Sequence, residues 1–466
     1  MSFFNKILNS LPEVRGPEEK HVAFNTKLKW TLLILTSFYI LQTVPLYGLG
    51  QNALSQFESI SILLGASFGS ILSLGIGPIV SASIVIQLLT GSGILKFDTT
   101  THEGRTYFQG VQKLTSVGFI IFEALIYVYL GGLSPPTTVS ASTYSILKLV
   151  LTFQLFIGGL LVLFMDEVLN KWGFGSGTSL FIAAGISSQL FIRILSPLTR
   201  AGTLAFGSGE SPVGQLWVLG LSLLGRNPRE AFLAGFLILA TVLIFIVGVY
   251  VQSMKVEIPL SFGRVRGQGI RWPLKFMYTS NIPVILIAAL FANIQLWARL
   301  LQGWGHPILG TFVGNSPSSG VVAWLFAPNL PAEILGGSFR SILILQSAVY
   351  ILAFVIGSII FSIFWVQTSG MDASSQAKQI LNSGLQIPGF RRDPRVIEKL
   401  LERYISPLTI MGAMTVGFLA ATADLLGALT SGTGLLLTIM IIYKLYEDIT
   451  RQHMVDMHPS LKKMVE

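Results

Sequence analysis

One ionisable side chain, Glu123, lies in the middle of a long apolar stretch, FIIFEALIYVYL. A carboxyl group inside a membrane span is the usual mark of ion-coupled transport, where it relays protons or balances a bound ion. The alternative is a buried carboxyl that bonds to a neighbouring helix or to a partner subunit. The other apolar stretches offer no second acid or base near their centres, and a pump or secondary transporter would need several. The sequence therefore favours the second interpretation.

Other residues that support catalysis or metal binding are missing or scattered. The chain has no cysteine, which excludes disulfides, thiolate metal sites and cysteine nucleophiles. It contains no phosphate-binding loop, no HExxH motif and no GxSxG motif. The histidines fall in predicted loops or at helix ends with no metal-ligand spacing, and they are His21, His102, His306, His453 and His458. We therefore predict no enzyme activity, no catalytic residue, no metal site and no cofactor.

The composition is that of a helical membrane protein. Of the 466 residues, 52% are hydrophobic and only 11% are charged, whereas soluble domains carry about 25% charged residues. Many apolar runs reach the roughly 20 residues that a transmembrane helix needs. The runs are continuous and lack the alternation of an outer-membrane β-barrel. The elements that hold Glu123 are thus transmembrane helices.

Ten spans are predicted, and an even number places both termini on one side of the membrane. They lie near residues 28–47, 73–91, 109–131, 145–165, 174–195, 230–251, 276–298, 340–366, 406–426 and 432–446. Lysine and arginine are concentrated in the amino-terminal arm, in the loops on its side of the membrane and in the carboxy-terminal tail. By the positive-inside rule, both termini are cytoplasmic. We predict a multi-pass protein of the cell membrane.

Two of these spans are interrupted by proline near their starts. The second span contains GIGP at 75–78, followed by Ser81 and Ser83, and the seventh contains NIP at 281–283. Proline removes a backbone donor, so each helix should kink or begin there. Such a break serves packing alone, or it marks backbone that lines a cavity. Paired breaks at matching places in two five-span halves favour an inverted repeat with the functional site between the halves.

Three segments between spans have unusual composition. The apolar part of 48–72 is about 15 residues at most, too short to cross the hydrocarbon, and it predicts either a re-entrant helix or a surface helix. The cytoplasmic loops 252–275 and 367–405 are long and basic. Such loops commonly set topology or bind lipid headgroups, but two on one face would also form a docking platform for an acidic partner such as ribosomal RNA.

Branched aliphatic residues lie beside glycine in three spans and beside proline in a fourth. The segments are GIG at 75–77, FIAAGI at 181–186, PVI at 283–285 and GLLL at 434–437. Aliphatic pairs at helical spacing ordinarily form core packing. They also form hydrophobic constrictions that close a channel to ions by excluding water. Composition alone leaves both interpretations open.

These segments, in this order, resemble the SecY family, the large subunit of the Sec protein-conducting channel. The resemblance extends over nearly the whole chain, and spans 5 and 7 are most similar to the archaeal and eukaryotic branch. It is carried by KLKWT (27–31), LGIGPIVSASIVIQLL (74–89), FQGVQKL (108–114), MDEVLNKWGFGSGTSLFIAAGI (165–186), VEIPLSFGRVRG (256–267), SNIPVILIAALFANIQLW (280–297), PGFR (388–391) and SGTGLLLT (431–438).

The resemblance implies an all-α membrane protein with ten transmembrane helices in two inverted five-helix halves. The halves would form a clamshell with a re-entrant plug helix at about 53–67. A hydrophobic pore ring would consist of Ile76, Val80, Ile182, Ile186, Ile285 and Leu437. Spans 2 and 7 would line a lateral gate, with the polar residues Ser83, Gln112 and Asn281. The residues that dock the ribosome or a partner would be Arg264, Arg266 and Arg391.

The resemblance also implies a division of the chain and a set of partners. The predicted units are a cytoplasmic amphipathic arm (1–26), an amino-terminal half (27–195), an external hinge loop (196–229), a carboxy-terminal half (230–450) and a cytoplasmic tail (451–466). The implied function is translocation of secretory polypeptides and lateral release of transmembrane segments into lipid. The implied partners are a SecE or gamma-type subunit, a small beta subunit, the ribosome, signal sequences and nascent chains.

Two other functions follow from the residues alone. The paired proline-broken helices are compatible with a secondary transporter of a small solute, whose uptake would depend on Glu123. A purely structural membrane scaffold would need neither a pore nor a gate. The first alternative predicts loss of transport in Glu123→Gln, and the second predicts no conductance change when the plug segment is deleted.

Overall fold

The computed structural model describes most of the chain. The described residues are 12–18, 22–52, 65–91, 94–95, 97, 102–199, 203–205, 210–262, 269–279, 281–314, 316–337, 340–382, 385–386 and 393–457. The amphipathic part of the predicted arm, most of the predicted plug, and Arg264, Arg266 and Arg391 lie outside these ranges.

Ten long helices account for the ten predicted spans within the described ranges. They are α1 (Phe24–Thr43), α2 (Gly77–Gly91), α3 (His102–Tyr129), α4 (Ala141–Trp172), α5 (Gly177–Leu195), α7 (Pro228–Ser253), α8 (Ile282–Gly303), α11 (Ile342–Thr368), α13 (Pro394–Leu425) and α14 (Gly432–Met457). Seven helices in the described part of the chain are long and apolar enough to cross a membrane by length and composition. The other three are α2, which is shorter, and α1 and α14, which carry charged residues toward one end. The helical membrane fold predicted from the sequence is confirmed.

Four short helices lie between the spans in the described residues. They are α6 (Gln215–Leu224), α9 (Val321–Trp324), α10 (Leu330–Gly336) and α12 (Ala373–Asn382). Helix α6 occupies part of the segment predicted as the hinge loop, and it packs against α7. Its tryptophan Trp217 donates a hydrogen bond to the carbonyl of Leu195, at a distance of 2.9 Å. The connection between the two halves is therefore a folded hairpin of helices.

Both proline-broken spans begin at their prolines. Residues 71–76 form turns, and α2 starts at Gly77 with Pro78 as its second residue. Helix α8 starts at Ile282 with Pro283 as its second residue. Proline is tolerated in the first helical turn because its missing N–H would have no partner there. The sequence left open a kink or a helix start, and the structure has two helix starts.

The two halves share one core. A single cluster of buried apolar side chains draws on α1 to α5 and on α8, α11, α13 and α14. Helix α2 sits at its centre and contacts α3 of its own half as well as α8 and α11 of the other half. The boundary between the halves, along α2 and α8, is thus packed in this structure.

The two loops 252–275 and 367–405 fold together, which the sequence did not predict. Strands β3 (Lys255–Phe262) and β4 (Gly269–Lys275) form an antiparallel hairpin, and β7 (Leu385–Gln386) pairs with the end of β3. Helix α12 and the start of α13 cover this sheet. A second cluster of buried side chains holds the unit together: Ile258, Leu274, Val366, Ala377, Ile380, Ile397, Leu401, Ile405 and Leu408. Four other two-residue strands form the pairs β1–β2 (Gln51–Asn52 with Leu133–Ser134) and β5–β6 (Phe312–Val313 with Ser316–Pro317).

The amino-terminal arm is held against the ends of α3 and α4. Lys113 donates to the carbonyl of Pro12, and Trp172 donates to the carbonyl of Arg15. Glu167 accepts hydrogen bonds from Lys113 and Lys171 at 2.7 and 3.0 Å, as well as from the backbone of the arm. A neighbouring contact joins Gln452 of α14 to the carbonyl of Val22.

The contact between Gln452 and Val22 brings the two ends of the described chain to the same face. Lys275, at the end of β4, forms an ion pair with Glu447 of α14. The β3–β4–β7 sheet therefore lies on the same face as the termini. This arrangement agrees with an even number of membrane crossings.

Candidate functional site

The six residues predicted to form the pore ring are buried in the same apolar cluster. Their side chains are between 0% and 8% exposed, with Ile285 the most exposed of them. All six belong to the core that joins the two halves: Ile76, Val80, Ile182, Ile186, Ile285 and Leu437. Neutral branched side chains at this position offer no hydrogen-bond partner, so their arrangement can exclude water but cannot bind a polar ligand.

Four elements carry these side chains, and all of them except Ile186 lie within two turns of a helix start. Ile76 lies on the turn before α2, and its carbonyl accepts a 3.0 Å hydrogen bond from the backbone of Val80. Ile182 and Ile186 are one helical turn apart on α5. Ile285 follows the proline that starts α8, and Leu437 lies in the second turn of α14. The helix starts described above thus bring the ring residues together.

The last residues of the predicted plug pack directly on this cluster. Ala66 is buried, and a methyl group added at Gly65 would lie 3.5 Å from Cβ of Phe181 and 3.8 Å from Cγ2 of Ile76. The ring of Phe181 stacks on that of Phe38 at a centroid distance of 4.3 Å. Residues 53–64 lie outside the described ranges, so the plug itself stays a prediction.

The predicted gate residues fall in two places. Gln112 of α3 donates a 2.7 Å hydrogen bond to Ser83 of α2, so this pair lies within the amino-terminal half. Asn281 is buried immediately before α8, in the carboxy-terminal half. The structure therefore joins Ser83 to Gln112 and places Asn281 on the opposite side of the boundary.

A different set of polar residues connects α2 with α8. Asn293 of α8 donates a 2.9 Å hydrogen bond to the hydroxyl oxygen of Ser81 on α2. Ser81 in turn lies 3.0 Å from Oε1 of Glu123 on α3, within reach to donate its hydroxyl hydrogen. All three side chains are buried. The structure thus bonds Glu123 to a neighbouring helix, which is the interpretation that the sequence favoured.

This polar chain leaves acceptors unpaired in the described residues. Oε2 of Glu123 and Oδ1 of Asn293 are buried and have no hydrogen-bond partner there. A buried unpaired acceptor is unfavourable. The packed boundary between α2 and α8 therefore contains both an attraction, through Ser81, and an incompletely satisfied polar site. Ser81 and Glu123 both stand out in the sequence, but nothing in the sequence links either residue to Asn293.

The basic face around the sheet is partly described. Arg271 is 80% exposed and donates a 3.1 Å hydrogen bond to Glu257 on the neighbouring strand. This hydrogen bond lowers the pKa of Glu257 below its usual value. The three arginines predicted to dock a partner lie outside the described ranges; in the sequence, two fall between β3 and β4 and one follows β7. The described ranges contain no group of three or more histidine, aspartate or glutamate side chains placed to hold a metal ion.

Comparison with known proteins gives a consistent result over the whole chain. A family model described as SecY matches residues 70–446. The protein translocase subunit SecY of Methanothermobacter thermautotrophicus is 42% identical over 466 residues, which cover 99% of this chain and 98% of that protein.

Two solved structures are also similar over nearly their full length. One is a SecY protein whose plug domain is described as stabilising the closed state of the translocation channel and maintaining a membrane seal. This structure has a TM-score of 0.81 and 38% sequence identity with the present chain, and the alignment covers 98% of this chain and 99% of that chain. The other is Sec61 in a canine ribosome–channel complex from the endoplasmic reticulum, with a TM-score of 0.79, 38% identity and the same coverage.

Proposed function

This chain belongs to the SecY family and is the channel subunit of a protein translocase, and on that premise we propose how its residues close and open the channel. The family predicted from the sequence motifs is confirmed, with archaeal relatives. The protein is a multi-pass membrane protein without a catalytic role.

We propose that Ile76, Val80, Ile182, Ile186, Ile285 and Leu437 form the ring that seals the pore. The observation that carries this proposal is their burial in one apolar cluster, to which four separate elements contribute. Such a ring resists ion leak because water leaves a narrow apolar constriction. It also contacts a passing polypeptide without offering a fixed hydrogen-bond partner, so chains of any sequence can slide through.

We propose that α2 and α8 part to form the lateral gate. Their contact is held by the hydrogen bond between Asn293 and Ser81, and opening would expose this polar pair to water or to the substrate. An apolar signal sequence in the opening can then partition into lipid, a transfer favourable by about 25 cal/mol per Å² of buried apolar surface. Ser83, Gln112 and Asn281 would line the same opening.

We propose that the face carrying both termini and the β3–β4–β7 sheet is cytoplasmic. The concentration of lysine and arginine on this face supports the assignment. The membrane would be the cell membrane, and the units would have the boundaries predicted from the sequence. Arg264, Arg266 and Arg391 would bind ribosomal RNA, because phosphate contacts from arginine suit such a platform. A SecE or gamma-type subunit and a small beta subunit would complete the channel.

Deletion of the plug segment tests the sealed pore. We expect the purified full-length protein to be silent in planar bilayers and a variant without residues 53–67 to conduct ions. The deletion removes the plug, which is the second seal of the pore beside the ring. The measurement is single-channel conductance of both proteins at equal reconstitution. If neither protein conducts, crosslinking of a stalled nascent chain to position 182 decides whether the pore assignment is wrong.

Charge reversal tests the docking role of Arg391. We expect Arg391→Glu to impair secretion of a reporter protein and to weaken ribosome binding, because a carboxylate repels phosphate. The matched control is Arg340→Glu, an exposed arginine next to the start of α11 on the opposite face of the membrane. Normal secretion and ribosome binding in Arg391→Glu, with the protein folded, would remove Arg391 from the docking surface.

A further inference from the structure

The same three-residue sequence starts α5 and α14, two of the helices that carry ring residues. Ser176-Gly177-Thr178 begins α5, and Ser431-Gly432-Thr433 begins α14. In both helices the first hydrogen bond runs to the carbonyl of the serine, at 3.0 and 2.9 Å. In both, an aspartate on the preceding helix reaches across the turn to the threonine. The sequence motifs that carried the family resemblance include both segments but give them no role.

In the connection between α4 and α5, Asp166 of α4 holds the start of α5. Oδ1 of Asp166 accepts a 2.6 Å hydrogen bond from the backbone N–H of Thr178. The other carboxylate oxygen accepts from the amide of Asn170 at 3.0 Å. A backbone N–H in the first turn of a helix has no partner within the helix, so a side-chain acceptor there stabilises the helix start. The acceptor here comes from the neighbouring span.

In the connection between α13 and α14, Asp424 of α13 holds the start of α14 in the same way. Oδ1 of Asp424 accepts a 2.9 Å hydrogen bond from the backbone N–H of Thr433, and Oδ2 accepts from the hydroxyl of Thr433. Oδ2 also accepts from the hydroxyl of Tyr350 on α11, at 2.8 Å. Three spans therefore meet at this carboxylate.

Glycine is required beside each aspartate because the helices approach closely. A Cβ atom on Gly177 would lie 2.6 Å from Cα of Asp166. A Cβ atom on Gly432 would lie 2.0 Å from the backbone of Ala423, the neighbour of Asp424. Side chains of any other residue would push each helix start away from its carboxylate.

Each motif stands one helical turn from a ring residue. Ile182 follows Thr178 by four positions, and Leu437 follows Thr433 by four positions. Residues four apart lie on the same face of a helix, about 6 Å apart along its axis. Fixing the threonine therefore fixes the height and rotation of the ring residue. Helices α5 and α14 also approach each other closely near the ring, because a Cβ atom on Gly434 would lie 2.9 Å from Cδ1 of Ile186.

We propose that Asp166 and Asp424 are positioning residues for the pore ring, one at each face of the membrane. The inference rests on the proposed ring. The turn between α4 and α5 and the turn between α13 and α14 are five spans apart among the ten, so they lie on opposite faces. Each carboxylate sets the register of one ring-bearing helix against its neighbour, so that Ile182 and Leu437 meet at the same depth in the membrane.

Alanine substitutions test this proposal through ion leak. We expect Asp166→Ala and Asp424→Ala to conduct ions where the unaltered channel is silent, because loss of one helix cap shifts the population toward the leaky state by about fivefold. Asparagine retains an acceptor oxygen, so Asp166→Asn and Asp424→Asn should restore a low leak. A role in folding alone would lower the yield and the melting temperature without this pattern of leak and rescue.

The matched control is Asp393→Ala. Asp393 caps α13 by accepting a 2.9 Å hydrogen bond from the backbone of Arg395, but α13 carries no predicted ring residue. Leak in the Asp166 and Asp424 variants no greater than in Asp393→Ala would overturn the proposal. If an alanine variant does not fold, the corresponding Asp166→Glu or Asp424→Glu variant is measured instead. The longer side chain should shift the register of the ring-bearing helix against its neighbour, so an unchanged leak in that variant also overturns the proposal.

A ring variant separates this inference from the proposed function. Leu437→Gly should leak if the ring assignment is correct, whatever the role of the aspartates. Leak in Leu437→Gly with silent aspartate variants would reject the positioning role alone. Silence in Leu437→Gly would reject the ring itself and, with it, the positioning role.

Discussion

Substitution of Ser81 by alanine is expected to open the lateral gate more readily, with export of proteins whose signal sequences are too weak for the unaltered channel. The hydroxyl of Ser81 accepts from Asn293 and reaches Glu123, so its removal leaves two buried polar side chains without their described partner. An unpaired buried polar group costs about 1–3 kcal/mol. If this cost falls on the closed state, the ratio of closed to open channels drops by roughly 5- to 160-fold.

Ser83→Ala is the matched control for this experiment. Ser83 lies two residues further along α2 and bonds to Gln112 within the same half, so its loss does not break a bond across the gate. The measurement is export of a reporter with a shortened apolar segment in its signal sequence. Equal or greater export in Ser83→Ala would show that the bond of Ser81 to Asn293 is not what holds the gate closed. In the Ser81→Ala background, Asn293→Leu should partly restore closure, because it replaces one orphaned polar group with an apolar one.

Substitution of Gly158 by alanine is expected to destabilise the protein and to disturb the ring. A Cβ atom at this position of α4 would lie 1.9 Å from the carbonyl oxygen of Ile71. The backbone at Ile71 cannot move away freely because its N–H donates a 3.0 Å hydrogen bond to Val44 at the end of α1. Overpacking of this kind costs about 1–3 kcal/mol or more. Since Ile71 leads into the turn that carries Ile76, we also expect a raised ion leak.

Gly118→Ala is the control for the intrinsic effect of alanine. Gly118 lies in the middle of α3 with no atom within 4 Å of an added Cβ. Alanine favours a helix over glycine by about 1 kcal/mol, so this variant should melt at the same or a higher temperature. Thermal unfolding in detergent compares the two variants. A Gly158→Ala protein as stable as Gly118→Ala would show that the contact between α4 and Ile71 is not tight.

The features that could be predicted from the sequence are those that depend on local pattern. The lengths of the apolar runs located all ten spans, and the chemistry of Pro78 and Pro283 located two helix starts to within a few residues. Branched aliphatic residues in four spans left core packing and a constriction both open, and the ring residues among them are buried together. Each of these inferences uses residues within one continuous segment of the chain.

The features that could not be predicted depend on contacts between distant parts of the chain. The bond between Asn293 and Ser81 joins residues 212 positions apart, and a single sequence carries no signal for such a pair. The strand β7 has only two residues and pairs with β3 far upstream, so neither its length nor its pattern indicates a sheet. The serine–glycine–threonine repeat was visible, but the aspartates that bond to it lie at different spacings in the two halves.

The pairing of Ser81 with Asn293 also has a consequence for the order of events during synthesis of the protein. At about 5–20 residues per second, the ribosome adds Asn293 roughly 10–40 seconds after Ser81. During that interval α2 and α3 have no α8 to contact, and Ser81 and Glu123 face whatever surrounds the unfinished chain. Closure of the channel is thus a late step of biogenesis, and a truncated chain that ends before residue 293 should remain unsealed.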